Sequence, residues 1–550
     1  MSILDATSGS GATAELYLDE AVHRRRWWTL GVLCMSLLIV FVGNSSLNVA
    51  IPTLAREFSA TTSQLQWVVA SYSLVFAGLL FTTGAIGDRF GRKGVLQLGL
   101  FGFLIGVVLA SMATEMWQLI ATRALMGASA AFIMPSTLSI LVNVFPPNER
   151  ARAIAIWASV TGGAGAIGPV ASGWMLGHFW FGSVFLVNVP FIAIALIGGY
   201  LFVPRSRDPE HGVLDPVGAL LSIIGVSSLV YGLIEGPDVG WASGQTLAAF
   251  AISVVVLGAF VGWELHVEVP MLDMSFFRLP AFSTATAGMI LVFLAMYGVM
   301  FLVTQYFQLV LGYSPLSSAV RFLPMTPIML IVAPRTPKLV ARFGANRTVS
   351  FGMALVAVGL LMFRGLEVHT PYWYVLICVF FLVSGIASSM SPMTAALMSA
   401  VPARRAGVGS AMNDATRELG AALGIAVLGS VAASRYAHSI DQLSNVPGAA
   451  RDLARDSLSG ALAEATRIGG NAGTVLHDGA QQAFMDGMHL AVTFGAVLAA
   501  IASVLVYRYL PAQTPMIAGH GPIDEVDAAE LTAEVAIAGT PAIIDGVPVS

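Results

Sequence analysis

The sequence predicts an all-α integral membrane protein with fourteen transmembrane helices: two six-helix pseudo-symmetric halves and two extra helices between them. Of its 550 residues, 56% are apolar and 11% are charged, a composition outside the range of soluble domains. The apolar residues form runs of the roughly 20 residues that a helix needs to cross a bilayer. An Arg-Phe-Gly triplet closes an apolar run twice, at 89–91 and at 342–344, which indicates two related halves.

The first half is preceded by a polar arm, residues 1–26, which we expect to be cytoplasmic and disordered to about residue 22. An Arg cluster at 24–26 then leads into a long apolar run without a small-residue cleavage site, which favours an uncleaved first helix over a signal peptide. The six spans of this half, residues 27–203, are expected at about 27 to 51, 65 to 85, 95 to 114, 117 to 144, 152 to 177 and 182 to 203.

Residues 204–281 form a linker with two extra spans, at about 215 to 235 and 245 to 265. The second half, residues 282–510, follows with spans at about 282 to 308, 318 to 340, 348 to 366, 372 to 400, 407 to 433 and 484 to 508. A long outer loop, about 434 to 480, precedes the last span. The polar tail, residues 511–550, is predicted to be disordered and cytoplasmic.

The basic residues test this topology, because cytoplasmic loops of membrane proteins carry an excess of Lys and Arg. On the expected inner side lie Arg24, Arg25, Arg26, Arg89, Arg92, Lys93, Arg150, Arg152, Arg205, Arg207, Arg278, Arg335, Lys338, Arg342, Arg347, Arg404, Arg405 and Arg508. The outer side has Arg56, Arg321 and Arg364, besides four in the long outer loop. We therefore expect a multi-pass protein of the cytoplasmic membrane of a bacterium-like cell, with both termini in the cytoplasm.

A short charged loop lies between the second and third spans, where the surroundings carry almost no charge. Its glycines allow two helix ends to approach closely, and its acid could neutralise a helix N-terminus or pair with an Arg of the other half. Such a pair would act as a conformational latch. Alternatively, the bases only orient the helices. The latch residues are Gly84, Asp88, Arg89, Gly91, Arg92 and Lys93.

This loop resembles the Gly-x-Leu-x-Asp-Arg-x-Gly-Arg-Lys motif of the major facilitator superfamily, with Ile86 in place of Leu. Further segments, from about residue 28 to 510, resemble the fourteen-helix drug:proton antiporter family of that superfamily. These are Leu214 to Gly218, Gly240-Trp241, Pro270 to Leu272, Phe276 to Arg278 and Gly407 to Ser430. The resemblance implies an exporter of small drug-like or amphiphilic molecules that works by alternating access and exchanges its substrate for protons.

Two features of the fourth and fifth spans match motifs of that family. Arg123 lies in the middle of the fourth span, where a charge is costly unless it has a partner. The resemblance implies that it couples proton movement to substrate binding; a purely structural ion or carbonyl pair is the alternative. The fifth span resembles the antiporter motif, although such glycines can also serve helix packing alone. Its members are Gly165, Gly168, Pro169 and Gly173.

The sequence also departs from the family. Gly43 stands where the family's first helix carries an acid, and Phe181 to Ser183 replace a Trp-Arg-Trp segment. If protons drive transport, another buried acid must titrate. Asp414 and Glu418 are four residues apart on one face of the thirteenth span, with Arg417 beside them. They are either a proton site or a self-neutralising cluster.

A substrate cavity is expected near the midplane, between the two halves. Without an acid in the first span, neutral, amphiphilic or anionic substrates are at least as plausible as cations. The candidate lining residues are Asn44, Asn48, Tyr297, Phe301, Gln305, Gln308 and Met325.

Other classes of protein are disfavoured. No G-x-x-x-x-G-K-[ST] phosphate loop, H-E-x-x-H motif or Gly-x-Ser-x-Gly elbow occurs, so we expect neither an ATP-driven pump nor an enzyme. The two cysteines, Cys34 and Cys378, lie in apolar runs, which disfavours a disulfide framework or a metal site. No cofactor is expected, and the partners are a small-molecule substrate, protons and the bilayer, without nucleic acid; the chain is expected to be a monomer. A facilitator, a lipid or metabolite exporter, or a sensor of the same fold remains the alternative.

Overall fold

The structure is a computed structural model that describes residues 8–206, 215–268, 270–401, 406–443, 446–512, 543–544 and 547–548. Within its helices, some side chains are also outside the described part: those of residues 8–23, 81, 85, 88, 147–148, 150–151, 155, 158–159, 161–163, 166 and 406–407. The chain forms two compact units, Met1–Ala512 and Gln513–Ser550. In the second unit, strand β1 (Ile543–Ile544) pairs antiparallel with β2 (Val547–Pro548), and the rest of the tail lies outside the described residues.

The first half is helical over most of its predicted spans. Its helices are α1 (Ser8–Glu57), α2 (Thr62–Phe90), α3 (Arg92–Ser111), α4 (Met116–Val144), α5 (Pro147–His178), α6 (Ser183–Leu186) and α7 (Asn188–Phe202). The expected disorder of the arm is wrong from Ser8 onward, where α1 begins. Once the apolar span has nucleated a helix, adding residues at its end is cheap, and Ala, Glu and Leu in the arm favour this extension.

The extra pair is α8 (Pro216–Val239) and α9 (Gly244–His266), followed by a 3₁₀ turn at Met274–Arg278. The second half begins with α10 (Pro280–Gln305), which ends in a π-helical turn at Tyr306–Val310. Next come α11 (Pro315–Phe322), α12 (Met325–Val332), a 3₁₀ turn at Ala333–Arg335, α13 (Thr336–Phe343), α14 (Ala345–Phe363), α15 (Tyr372–Ser399) and α16 (Ala406–Asp441). The last helices are α17 (Gly448–Arg455), α18 (Leu458–Ile468) and α19 (Gly470–Tyr509).

Thirteen helical segments of the described chain are long and apolar enough to cross a membrane. The protein is therefore a multi-pass, all-helical membrane protein. The remaining predicted span coincides with α5, several side chains of which lie outside the described part, so the count of fourteen stays a prediction. The predicted span at 318 to 340 is divided into α11, α12 and α13, because Pro324, Pro334 and Pro337 each lack the N–H that a continuous helix requires.

The predicted outer loop between the last two spans is largely helical. Helix α16 continues to Asp441 and α19 starts at Gly470, so both extend past their predicted ends, and α17 and α18 fill the interval. This segment also contacts the first half: the backbone N–H of Thr62 donates to the carbonyl of Asp456 over 3.1 Å.

The two Arg-Phe-Gly triplets have the same local structure. Gly91 lies between α2 and α3 with a φ of 108°, and Gly344 lies between α13 and α14 with a φ of 87°. Residues with a side chain rarely adopt this left-handed conformation, so a glycine is needed where one helix stops and the next starts at once. The repeat found in the sequence therefore marks two equivalent helix-to-helix corners.

The functional side chains are positioned by a few helix contacts. Helix α2 packs against α4 in its own half, against α8 of the extra pair and against α16 of the second half. Helix α16 also packs against α10 and α19, and α5 packs against both α1 and α11. The α2–α16 and α5–α11 contacts thus join the two halves.

Candidate functional site

Arg123 on α4 is fully buried, with none of its surface exposed. Its Nε donates to the carbonyl of Val68 over 3.2 Å and its Nη2 to Oδ1 of Asn44 over 3.1 Å. A longer bond, 3.5 Å, runs from Nη1 to the carbonyl of Gly43, and the guanidinium carbon lies 4.4 Å from the centre of the Tyr72 ring. The charge is thus stabilised by neutral oxygens and an aromatic face. No ion pair joins it to a carboxylate of the described residues.

The site of the missing first-helix acid is occupied. A Cβ atom built on Gly43 would lie 3.1 Å from Cζ of Phe103 on α3 and 3.8 Å from Cε of Met126 on α4. Phe103 is itself fully buried. A longer side chain at position 43 would therefore have to displace the Phe103 ring. The space that an acidic side chain would need at position 43 is therefore filled by packed side chains.

Glu418 on α16 contacts the other half of the protein. Its Oε2 accepts a hydrogen bond of 2.7 Å from the hydroxyl of Ser73 on α2. Ser73 follows Tyr72, whose ring covers Arg123. Consecutive helical residues point in directions about 100° apart, so this short stretch of α2 faces Arg123 on one side and Glu418 on the other. Arg123 and Glu418 are close enough to interact electrostatically.

Asp414 has different surroundings, although it lies one helical turn from Glu418. Its Oδ1 is 3.7 Å from Nη1 of Arg417 and accepts a 3.4 Å hydrogen bond from the amide of Asn413. The Arg417 guanidinium also lies 5.1 Å from the centre of the Phe293 ring on α10. Asp414 therefore has a cationic neighbour within its own half, whereas Glu418 is hydrogen-bonded to the opposite half.

Sequence reasoning did not find Tyr72, Ser73 or Phe103. A signal for the first two exists, because Ser71-Tyr72-Ser73 is a polar triplet inside an apolar span. Phe103 gives no such signal, since it is one apolar residue among many in α3.

The predicted latch loop contacts the first half and the start of the linker. The backbone N–H of Arg92 donates to the carbonyl of Ser206 over 3.0 Å. The ammonium of Lys93 donates to the carbonyl of Tyr200 over 2.8 Å and lies over that residue's ring. Gly84 faces Pro135 on α4, and Arg89 lies 5.4 Å from the ring of its neighbour Phe90. The side chain of Asp88 lies outside the described part, so the latch itself stays a prediction.

The glycines of the fifth span differ in what they contact. A Cβ on Gly168 would collide with the Ser45 hydroxyl of α1, and one on Gly173 would lie 2.7 Å from Cα of Leu316 on α11. The same atom on Gly165 would meet nothing within 4 Å. Pro169 lies inside α5 beside these contacts. Two of the three glycines therefore allow close backbone approach, one to α1 and one to the second half.

The predicted cavity residues are spread over several environments. Asn44 belongs to the surroundings of Arg123, and Phe301 is fully buried in the core. Gln308 joins the halves, because its amide donates to the carbonyl of Val49 over 2.9 Å. Gln305 donates to the carbonyl of Phe301 within α10. The three others, each partly buried, are Asn48, Tyr297 and Met325.

Two cavities are lined by other residues. One, of about 680 Å³, lies where α1 and α3 end and α2 and α4 begin, and Glu57, Phe58 and Glu115 are among its lining. The second, of about 210 Å³, is an apolar crevice between α10 and α19. None of the seven candidates lines either one, so the location of the substrate cavity stays a prediction.

Comparison with known proteins gives consistent matches. The family model of the Major Facilitator Superfamily matches residues 33–425. The multidrug efflux pump LfrA of Mycolicibacterium smegmatis is 33% identical, over 88% of this chain and 96% of the pump. The tetracenomycin C resistance and export protein of Streptomyces glaucescens is 30% identical, over 88% and 92%. The methyl viologen resistance protein SmvA of Salmonella typhimurium is 32% identical, over 84% and 93%.

Solved structures share the fold. An inward-facing bacterial homolog of the human lysosomal transporter Spinster superposes with a TM-score of 0.64 at 17% identity, covering 88% of this chain and 98% of that one. The inward-open xylose transporter XylE of E. coli superposes with a TM-score of 0.53 at 13% identity, covering 89% and 98%.

Proposed function

Because this chain belongs to the Major Facilitator Superfamily, we propose that it exports small organic molecules across the cytoplasmic membrane by alternating access, in exchange for protons. Support for export comes from the three relatives described above, which are named for efflux, export or resistance. Support for the orientation comes from the basic residues, which gather on one side of the predicted topology with both termini.

The observation that carries the proton step is the hydrogen bond between Ser73 and Glu418. It joins α2 of one half to α16 of the other, an interface that must change when the halves rock about a central site. An ionised carboxylate accepts the serine hydroxyl strongly, because hydrogen bonds to charged groups are about twice as strong as neutral ones. Protonation of Glu418 removes the charge and weakens this link. Proton binding therefore favours separation of α2 from α16.

Arg123 adds a cation to this site from the first half, besides Arg417, which precedes Glu418 on α16. It sits beyond Tyr72, close enough to act on Glu418, and it has no carboxylate of its own among the described residues. When Glu418 is ionised, Arg417 and Arg123 both stabilise its negative charge; when Glu418 is protonated, Arg123 loses this compensation. An anionic or polar substrate group near Arg123 would then be favoured. With no acid at position 43, we propose neutral, amphiphilic and anionic substrates alongside cations.

The test is proton flux in proteoliposomes with an imposed pH gradient, using cationic, neutral and anionic amphiphiles as candidate substrates. The parent is compared with Glu418→Gln, and Asp414→Asn serves as the matched control, because it removes an acid one turn away that has its own Arg partner. We expect substrate to drive proton movement in the parent and in Asp414→Asn, and not in Glu418→Gln.

Two results would change the mechanism. If Asp414→Asn stops the proton flux and Glu418→Gln does not, the proton site is Asp414. If the parent moves substrate without protons, the better proposal is that the protein is a facilitator. The observation favouring that alternative is the glycine at position 43, with Phe103 filling the space of an acid.

A further inference from the structure

A second pair of acids lies where the extra helices meet the rest of the chain. Asp215 precedes α8, and Glu264 lies near the end of α9. Both are almost completely buried, with 7% and 3% of their surface exposed. Burial of two ionised carboxylates would be very costly without partners, so their hydrogen bonds decide their state.

Each carboxyl has one satisfied oxygen. Oδ1 of Asp215 accepts from the backbone N–H of Gly218 over 2.8 Å and from the indole N–H of Trp263 over 2.9 Å. Oε2 of Glu264 accepts from the backbone N–H of Leu272 over 3.0 Å. The remaining oxygens, Oδ2 of Asp215 and Oε1 of Glu264, are buried and have no donor among the described residues.

These two orphan oxygens border the same small space. A Cβ atom built on Gly218 would collide with both of them at once. Two ionised carboxylate oxygens that border the same buried space repel each other, whereas one proton placed between them satisfies both.

We propose that Asp215 and Glu264 form a proton-binding site in which one shared proton holds the connector, residues 267–279, against the extra helix pair. The site joins the start of α8, the end of α9 and the backbone of Leu272, so it lies at both places where the chain enters and leaves the extra pair. Loss of the proton leaves two buried negative charges and loosens the connector. This proposal does not depend on transport through Glu418.

Among the described residues, the surrounding charged groups form no ion pair with either acid. The charged groups on the elements packed around the pair are His266 on α9, Glu268, Asp273 and Arg278 after it, Glu235 and Asp238 on α8, Arg89 on α2, and Asp414, Arg417, Glu418, Arg435, His438 and Asp441 on α16. Neither Arg89 nor Arg278 forms an ion pair with Asp215 or Glu264. Asp88 and the linker residues 207–214 lie outside the described part.

The direct test is infrared spectroscopy of the purified full chain as a function of pH, reading the carbonyl band of a protonated carboxylic acid. We expect the parent to show a band that persists at neutral pH, shifts in D₂O and vanishes on alkalinisation. Glu264→Gln should lack it, because the amide donates to Asp215 permanently while its oxygen still accepts from Leu272. Glu268→Gln, the same change at an exposed acid four residues on, should keep it.

Thermal unfolding supplies the second readout. The folded parent holds a proton that the unfolded chain has released at neutral pH, so stability falls as the pH rises, tenfold in the unfolding equilibrium per pH unit for each proton. Glu264→Gln should lose this dependence and remain folded. If the band is missing from the parent, or if Na⁺, K⁺ or Mg²⁺ stabilises the parent while pH does not, the carboxyls hold a cation instead and the proposal is wrong.

Discussion

Phe103 fills the space of the absent first-helix acid, and this can be tested by restoring the acid. In Gly43→Asp the new Cβ alone would lie 3.1 Å from the Phe103 ring, and the carboxyl extends further into it. Overpacking of a well-packed core costs about 1–3 kcal/mol. The backbone carbonyl of Gly43 already contacts Arg123, so the carboxyl would gain a cationic neighbour only if the ring moves away.

The double variant Gly43→Asp with Phe103→Leu separates these two effects. The smaller Leu makes room for the carboxyl, so we expect the double variant to be more stable than the sum of the single changes predicts. Coupling energies between contacting residues are about 0.5–3 kcal/mol. Gly43→Ala is the matched control, since it adds only the methyl group and requires a small shift of the ring.

The assay is the midpoint of thermal unfolding of five purified proteins: the parent, Gly43→Asp, Phe103→Leu, the double variant and Gly43→Ala. Proton flux per transported substrate is the functional readout. We expect Gly43→Asp to unfold earlier than Gly43→Ala, and the double variant to recover most of the loss. If Gly43→Asp alone is as stable as the parent, or if the two changes are additive, Phe103 does not occupy the space of the acid and the packing argument fails.

Four further expectations can each be tested separately. Gly173→Ala should impair folding or transport because its methyl group would meet the backbone of Leu316 at 2.7 Å, whereas Gly165→Ala should be silent in the same transport assay. Asp88→Asn should slow transport while leaving insertion unchanged; normal transport would remove the latch. The hydrogen bond from Arg467 lowers the pKa of the Glu464 carboxyl. This bond should therefore stabilise α18 at neutral pH and be lost as the pH falls through the lowered pKa. Hydrogen exchange of the α18 amides at both pH values would show the change. A C-terminal tag should be protected from external protease in intact cells; its accessibility would refute the even span count.

The sequence by itself determined the class of protein and most of the helix positions. A bilayer leaves no water for backbone groups, so a run of apolar residues of sufficient length has to be a helix. The described spans therefore lie close to their predicted places. The repeated Arg-Phe-Gly triplet was an equally reliable local signal, because Gly91 and Gly344 both have positive φ angles and each lies where one helix leads directly into the next.

The local apolar pattern did not predict where helices continue into polar sequence. Helix α1 begins at Ser8 and α19 at Gly470, well before their apolar runs, because extending an existing helix requires no new apolar signal. Conversely, the predicted span at 318 to 340 has the right hydropathy, and its prolines divide it into shorter helices.

Only the tertiary structure decided the partners of the buried polar groups. Ser73 and Glu418 are 345 positions apart, and nothing local to either residue indicates the other. The sequence predicted that Arg123 is buried and showed that position 43 is not an acidic residue. It did not predict their neighbours, because Tyr72 and Phe103 lie on other helices and contact these positions only through packing. Apolar periodicity in the sequence indicates which face of a helix is buried. Which residue packs against that face depends on how all the helices are arranged.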